Sequence, residues 1–248
     1  MCGRAKLPED VSELKLDLAI DWDETGDYRP RWNATPTSQL PVVVSRDGRR
    51  TLTLMRWGLV PPWAKSIAIG RATFNARAED VRTRPAFRTA WKTGRRCLVI
   101  ADAYYEWRAT DKQPFAVALA NRGPMTFAGL WESWRNPGAS DAKPLQSFAI
   151  LTTMANELLR PLHDRMPVLL APQHWPAWLG ETFASESELL AILRPYPAAA
   201  MSVWPVHRRV GNVRNDDPDL LAPLAEPIAP RSLIDAVPQR PARHNEVP

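Results

Sequence analysis

Cysteine is nearly missing from this chain: 248 residues carry only Cys2 and Cys97, too few and too far apart for a disulfide framework. Histidine is also scarce, and neither an HxxxH nor a CxxC spacing occurs, so no metal centre and no cofactor are expected. Glycine-rich phosphate loops of the GxxxxGK or GxGxxG kind are missing as well. The N-terminus lacks the basic segment and apolar run of a signal peptide. No apolar stretch approaches membrane-spanning length. These absences lead to the expectation of a soluble, cytoplasmic protein with no membrane partner and, by default, a monomer.

What is abundant points elsewhere. Proline, at 25 residues, is about twice its usual share, and tryptophan reaches 11. That much proline argues against long helices and for short strands joined by shaped loops. The net charge is +5 and arginine far outnumbers lysine, which fits a polyanionic partner.

The periodicities agree with that picture. Residues 9–22, EDVSELKLDLAIDW, place apolar side chains at helical spacing. PVVVSRDGRRTLTLMRWGLV predicts a hairpin about an Asp47-Gly48 turn. RRCLVIADAYYEW, QPFAVALA, MTFAGLWESW and QSFAILTTMA read as successive antiparallel strands. Residues 79–92 suggest a short helix interrupted at Pro85, and ANELLRPLHDRMPVLL a helical start running into a strand. Two short helical patterns fall in 173–195, and MSVWPVHRRVGNV supplies a last strand. The expected architecture is one α+β domain, mainly antiparallel strands in an open barrel-like core with short flanking helices, over 1–226. The proline-rich stretch 227–248 is expected to be a disordered tail.

Four places carry candidate chemistry. In MCGRAK, trimming of the initiator methionine would leave Cys2 with a free α-amine beside its thiol, a pair no internal residue offers. Both groups titrate near neutral to mildly alkaline pH. Glu106 ends an apolar aromatic run, ADAYYEW, where a carboxylate suits proton transfer; an outward-facing strand residue is the plainer alternative. FNARAE sets Asn75, Arg77 and Glu79 at alternate positions, on one face if extended; Glu79 would then simply pair with Arg77. His163 lies between a proline and charged residues at the mouth of a strand, a position equally open to a surface histidine.

Five pieces in order, MCGR, WGLVPPW, FNARAE, ADAYYEWR and LHDRMPVLL, resemble the family of SOS-response-associated peptidases, or abasic-site processing proteins. AGLWE at 128–132 and VGNVRN at 210–215 extend the similarity to about residue 216. The resemblance implies a covalent link between Cys2 and abasic sites in single-stranded DNA, made during the DNA-damage response and nucleoid-associated. By position it makes Cys2, Asn75, Glu106 and His163 catalytic. It makes Arg4, Asn33, Trp63, Arg77, Thr152 and Arg165 contacts to the DNA. Weak strand cleavage and self-processing would be compatible with it. Ala5 departs from the aromatic common after MCGR, and the Trp63 loop has one tryptophan where some relatives have two. Two alternatives stay open: a Cys2-dependent thiol peptidase, and a non-catalytic single-stranded DNA-binding module.

Overall fold

A computed structural model describes residues 2–138 and 143–224; the tail expected at 227–248 lies outside the described residues. Twelve strands and four helices of five or six residues are found among them. The strands are β1 (Ala5–Lys6), β2 (Trp22–Asp23), β3 (Gln39–Arg46), β4 (Arg49–Trp57), β5 (Asn75–Arg77) and β6 (Arg96–Ala101). They continue as β7 (Ala103–Trp107), β8 (Pro114–Leu119), β9 (Met125–Trp134), β10 (Leu145–Met154), β11 (Arg165–Pro167) and β12 (Met201–Pro205). The helices are α1 (Ser12–Asp17), α2 (Arg88–Lys92), α3 (Trp175–Leu179) and α4 (Glu186–Ala191).

The expected hairpin is β3–β4, closed by Asp47 at φ 51° and Gly48 at φ 74°. Two successive left-handed residues are what a tight hairpin turn matching strand twist requires. The larger sheet runs β11-β10-β9-β6-β3-β4-β2, with β5 pairing onto β10. It curls until β4 meets β10 in parallel over two residue pairs, Arg56 with Ser147 and Trp57 with Phe148. The sheet is thus partly ringed without closing into a barrel. A second, antiparallel sheet, β1-β7-β8-β12, stands beside it.

Three expectations are refined. The stretch RRCLVIADAYYEW is two strands, broken at Asp102, and they enter different sheets. Helix formation in 9–22 stops at Asp17, because Ala19 turns left-handed (φ 48°) and Trp22–Asp23 pairs with β4 instead. ANELL forms turns rather than a helix. Asn156 Oδ1 caps the Leu159 amide at 3.0 Å, and Pro161 has no N–H with which to extend the pattern.

Alternation along the larger sheet divides the core. One face, with Val43, Leu98, Ile100, Ala128 and Leu151, is covered by α1, α2 and α3 through Leu14, Trp91 and Trp178. The other, with Val42, Trp57, Val99, Phe127 and Phe148, packs against the start of the chain at Cys2, Ala5 and Leu7. Each such fully buried large side chain contributes about 1.5–3 kcal/mol. The first residues are therefore built into the core rather than left to fray.

Candidate active site

Strand β1 is only two residues long, but it is held from both sides. Ala5 and Lys6 pair with Tyr104 and Ala103 of β7, and the Tyr105 amide donates to Arg4 O at 3.0 Å. On the other side Ala5 and Ala34 exchange backbone bonds at 3.0 and 2.8 Å. The Lys6 ammonium, itself buried, reaches Asp102 at 2.6 Å. This clamp fixes Cys2, which is wholly buried.

Two elements converge on Cys2. Asn75 opens β5, whose register on β10 (Asn75 opposite Ile150) points its amide at the chain start. Its Nδ2 donates to the Cys2 carbonyl at 2.8 Å. Its Oδ1 is buried and accepts from no group among the described residues. Glu106 stands on β7 two residues beyond Tyr104, hence on the same side of the strand, and is buried. Burial pushes the Cys2 thiol well above the ordinary thiol range, and the Glu106 carboxylate pushes it further the same way. Tyr104 is raised too, by burial first and then by Cys2 and Glu106, so the three groups share one low-dielectric compartment.

His163 sits just before β11, its imidazole about one-third exposed. Its Nδ1 accepts from the Arg165 amide at 3.0 Å and lies 2.7 Å from Asp164 Oδ1. Without a hydrogen on Nδ1 it accepts in the first contact, and with one it donates in the second. The imidazole orientation is thereby fixed from one nitrogen, leaving Nε2 for other work.

A cleft of about 490 Å³ reaches this compartment through Asn75, which lines the cleft and bonds to Cys2. Trp63, Thr73, Arg77, Arg84 and Phe87 complete much of its wall. Trp63 is 57% exposed, and Arg77 is exposed with no ion pair among the described residues. The loop carrying Trp63 leaves β4 at Gly58, where φ is +120° and the backbone crosses that of Gly70. A Cβ on Gly70 would lie 2.6 Å from Gly58 O, so two bare backbones are needed to seat the loop.

The other expected DNA contacts, Arg4, Asn33, Thr152 and Arg165, do not line this cleft; each is engaged within the fold. Arg165 is buried, and its guanidinium forks onto Glu79 at 2.7 and 3.1 Å and onto Thr152 Oγ1 at 3.2 Å. Glu79 therefore pairs with Arg165, not with Arg77: the chain turns after β5 and carries Glu79 towards β11. Partial burial alone would raise the Glu79 carboxyl, but the Arg165 bonds outweigh it and hold it below the usual range. Thr152 is buried in β10, opposite Arg77 in register. Asn33 is wholly buried and donates to the carbonyls of Val210, Asn212 and Asn215. Arg4 donates to Asn33 and to Val210 and Gly211 carbonyls, with its guanidinium 5.6 Å from the Trp107 ring. Asp216 completes this cluster by accepting from the Trp32 and Asn33 amides at 2.7 and 2.9 Å. Its only trace in the sequence was its place just after VGNVRN.

No set of three or more His, Cys, Asp or Glu placed to hold a metal occurs among the described residues. Nor is any helix among them long and apolar enough to cross a membrane.

A family model described as SOS response associated peptidase matches residues 1–213. The abasic site processing protein YoqW of Bacillus subtilis is 35% identical over 225 residues, covering 89% of this chain and 99% of that protein. The abasic site processing protein HMCES of Gallus gallus is 29% identical, covering 90% of this chain and 78% of its own length. Among solved structures, a Bacteroides thetaiotaomicron protein shares the fold, with a TM-score of 0.80 at 22% identity over 90% of this chain and all of that one. A Bordetella bronchiseptica protein matches with a TM-score of 0.70 at 26% identity, over 83% of this chain and all of that one.

Proposed function

The chain belongs to the SOS response associated peptidase family, and from that membership we propose that it processes abasic sites in DNA by linking to them covalently through Cys2. The observation that carries this reading is the Asn75 amide. It holds the Cys2 carbonyl at 2.8 Å while lining a cleft walled by Trp63 and Arg77. That bond anchors Cys2 beside the cleft, where its amine and thiol are to meet the sugar once Met1 is removed.

The chemistry follows from the two groups. The sugar at an abasic site opens to an aldehyde. The Cys2 amine adds to its carbon, and loss of one water leaves an imine. The thiol then adds across the C=N bond: sulfur bonds to carbon, its proton leaves, and the nitrogen gains one, closing a five-membered thiazolidine. Closure is intramolecular and so proceeds at a very high effective concentration. Burial favours the protonated thiol, which fits an order in which nitrogen attacks first and sulfur second. Glu106 is the group nearest in charge to manage those protons, and Asn75 Oδ1 is an acceptor for the developing N–H. His163 acts on the sugar oxygen. Trp63 and Arg77 meet bases and phosphates of a single strand, with Arg4, Asn33, Thr152 and Arg165 supporting the site through the bonds they make within the fold.

The raised thiol also weighs against the peptidase alternative, which needs a thiolate favoured by a neighbouring cation. The test is a denaturing gel after incubation with single-stranded oligonucleotides with and without one abasic site. A shifted band that needs the lesion and disappears in Cys2→Ala is the expected result. Reversible, salt-sensitive binding with no such band would leave only a binding module. Cleavage of peptides dependent on Cys2 and His163 would turn the reading to the peptidase.

A further inference from the structure

From Arg77 to Arg95 the chain carries six cations, Arg77, Arg82, Arg84, Arg88, Lys92 and Arg95, against two acids, Glu79 and Asp80. The fold spends both acids locally: Glu79 on Arg165 at 2.7 Å and Asp80 on Arg84 at 3.3 Å. Arg95 is taken by the buried Glu132 of β9, and Arg82 lies 3.5 Å from Glu186 of α4. Arg88 and Lys92 are left exposed and without an ion pair among the described residues. They stand four apart on α2, where like charges face each other and repel. That helix is not free to swing them away, because Ala90 and Trp91 are buried and Trp91 packs 6.2 Å from Trp178.

These two cations open into a second cleft of about 490 Å³, whose wall includes Arg82, Trp91, Thr93 and Glu186. The ridge between the clefts is one short piece of chain. Arg84 to Phe87 face the cleft beside Asn75, and Arg88 and Thr89 face the second. Glu186 is tied to the Trp91 indole at 2.8 Å and to Arg82, so it leaves Arg88 and Lys92 uncompensated.

The geometry points to a second phosphate-binding segment of the DNA path: the strand leaving the abasic site on one side crosses the ridge at Arg84 and sets backbone phosphates against Arg88 and Lys92. This rests on the proposed reading of the first cleft as the lesion site and adds a direction to it. A sugar–phosphate backbone is the occupant that fits, since the cleft's uncompensated charges are cations, Trp91 is the one apolar residue of its lining, and a flexible polyanion can follow a bent path. Filling it would relieve the repulsion along α2 and release counterions.

The test uses oligonucleotides carrying a tetrahydrofuran abasic analogue, which has no aldehyde, so fluorescence anisotropy reads reversible binding alone. A short oligonucleotide centred on the analogue is compared with versions extended on the 5′ or on the 3′ side. In the Arg88→Glu, Lys92→Glu double variant, affinity for one of the extended strands is expected to fall about tenfold at low salt. The slope of log K against log salt for that strand should become shallower by about 1.4, the value for two single-strand phosphate contacts. The short strand and the strand extended on the other side should bind as to the unaltered protein. Equal affinities throughout, or an equal loss for all three strands, would overturn the proposal. The unaltered protein, given the short oligonucleotide with a true aldehydic site, tests the covalent reading separately. An adduct there with no length effect in the variant removes only the second cleft; a length effect with no adduct removes only the covalent chemistry.

Discussion

At the floor of the site, Cys2 and Glu106 are buried and Asn75 half-buried; β7 is paired on both sides, and β5 is laid along β10. At its rim, Trp63 and Arg77 stand in solvent, on a loop and on the last residue of a three-residue strand. The floor suits making and breaking bonds, where positions must be fixed and charges act through little water. The rim suits capture of a strand, where cations must exchange their counterions for phosphates. The arginines divide along the same line. Arg165 gives its fork to Glu79 and Thr152, and Arg4 gives its own to Asn33 and the 210–211 carbonyls. The Arg77 side chain makes no hydrogen bond or ion pair among the described residues, and only its field reaches Glu79.

The hardest way to strike the floor is to remove its sulfur. Cys2→Ala should abolish the lesion-dependent adduct outright on a denaturing gel. Cys2→Ser keeps the amine and should still be trapped on the lesion by borohydride, without a durable adduct otherwise. Equal adduct lifetimes for serine and cysteine would remove ring closure from the mechanism. Next in size is Glu106→Gln, which keeps shape and loses the proton carrier. Adduct formation should slow by about 10²–10⁴-fold while the strand binds as before. An unchanged rate would leave Glu106 a structural residue.

A pair of arginine variants sharpens the contrast between the buried frame and the rim. Arg165→Ala removes a buried fork and should lower folding stability by about 2–3 kcal/mol, read as a shift in denaturant midpoint. The half-exposed Glu79 limits the cost. Arg77→Ala should leave that midpoint in place and weaken reversible strand binding about three- to tenfold, with a shallower salt slope. If Arg77→Ala destabilised the fold as much as Arg165→Ala, the division between them would be false.

This division was not legible in the sequence, and the reason is physical. The β3–β4 hairpin could be read because its Asp-Gly turn and alternation are local. The motifs around Cys2, Asn75, Glu106 and His163 could be read because each is a short run. What escaped were partnerships between distant segments. Glu79 is two residues from Arg77 but pairs with Arg165, 86 residues away. Asn33 is buried only because residues 210–215 fold over it. The break at Asp102 separates two sheets, yet nothing in its neighbours marks it, since its partner is Lys6 at the far end of the chain.

The two cysteines offer the finest version of the comparison, because burial treats them alike and chemistry does not. Both are wholly buried, and burial raises both thiols far above the ordinary range, with Glu106 adding to the effect at Cys2 alone. In the unfolded chain a thiol loses its proton near pH ~8.5. The folded state keeps it, so above that pH the native protein binds more protons than the unfolded one. Stability is then fully present below about pH 8.5 and is lost as pH rises from there towards the folded-state values. Each thiol contributes up to about a tenfold loss in the folding equilibrium per pH unit within that window. Tyr28, Tyr104 and Tyr105 are raised as well, chiefly by burial, but their loss begins only near pH ~10. Between those two limits, Cys97→Ala and Cys2→Ala should each flatten the fall in stability by one thiol's share, measured by denaturant unfolding across the range. Cys97→Ala should still couple to an abasic oligonucleotide, and Cys2→Ala should not. If Cys97→Ala left the slope untouched, that thiol would already ionise in the native state. Its burial, and by the same argument the neutral sulfur assigned to Cys2, would have to be given up.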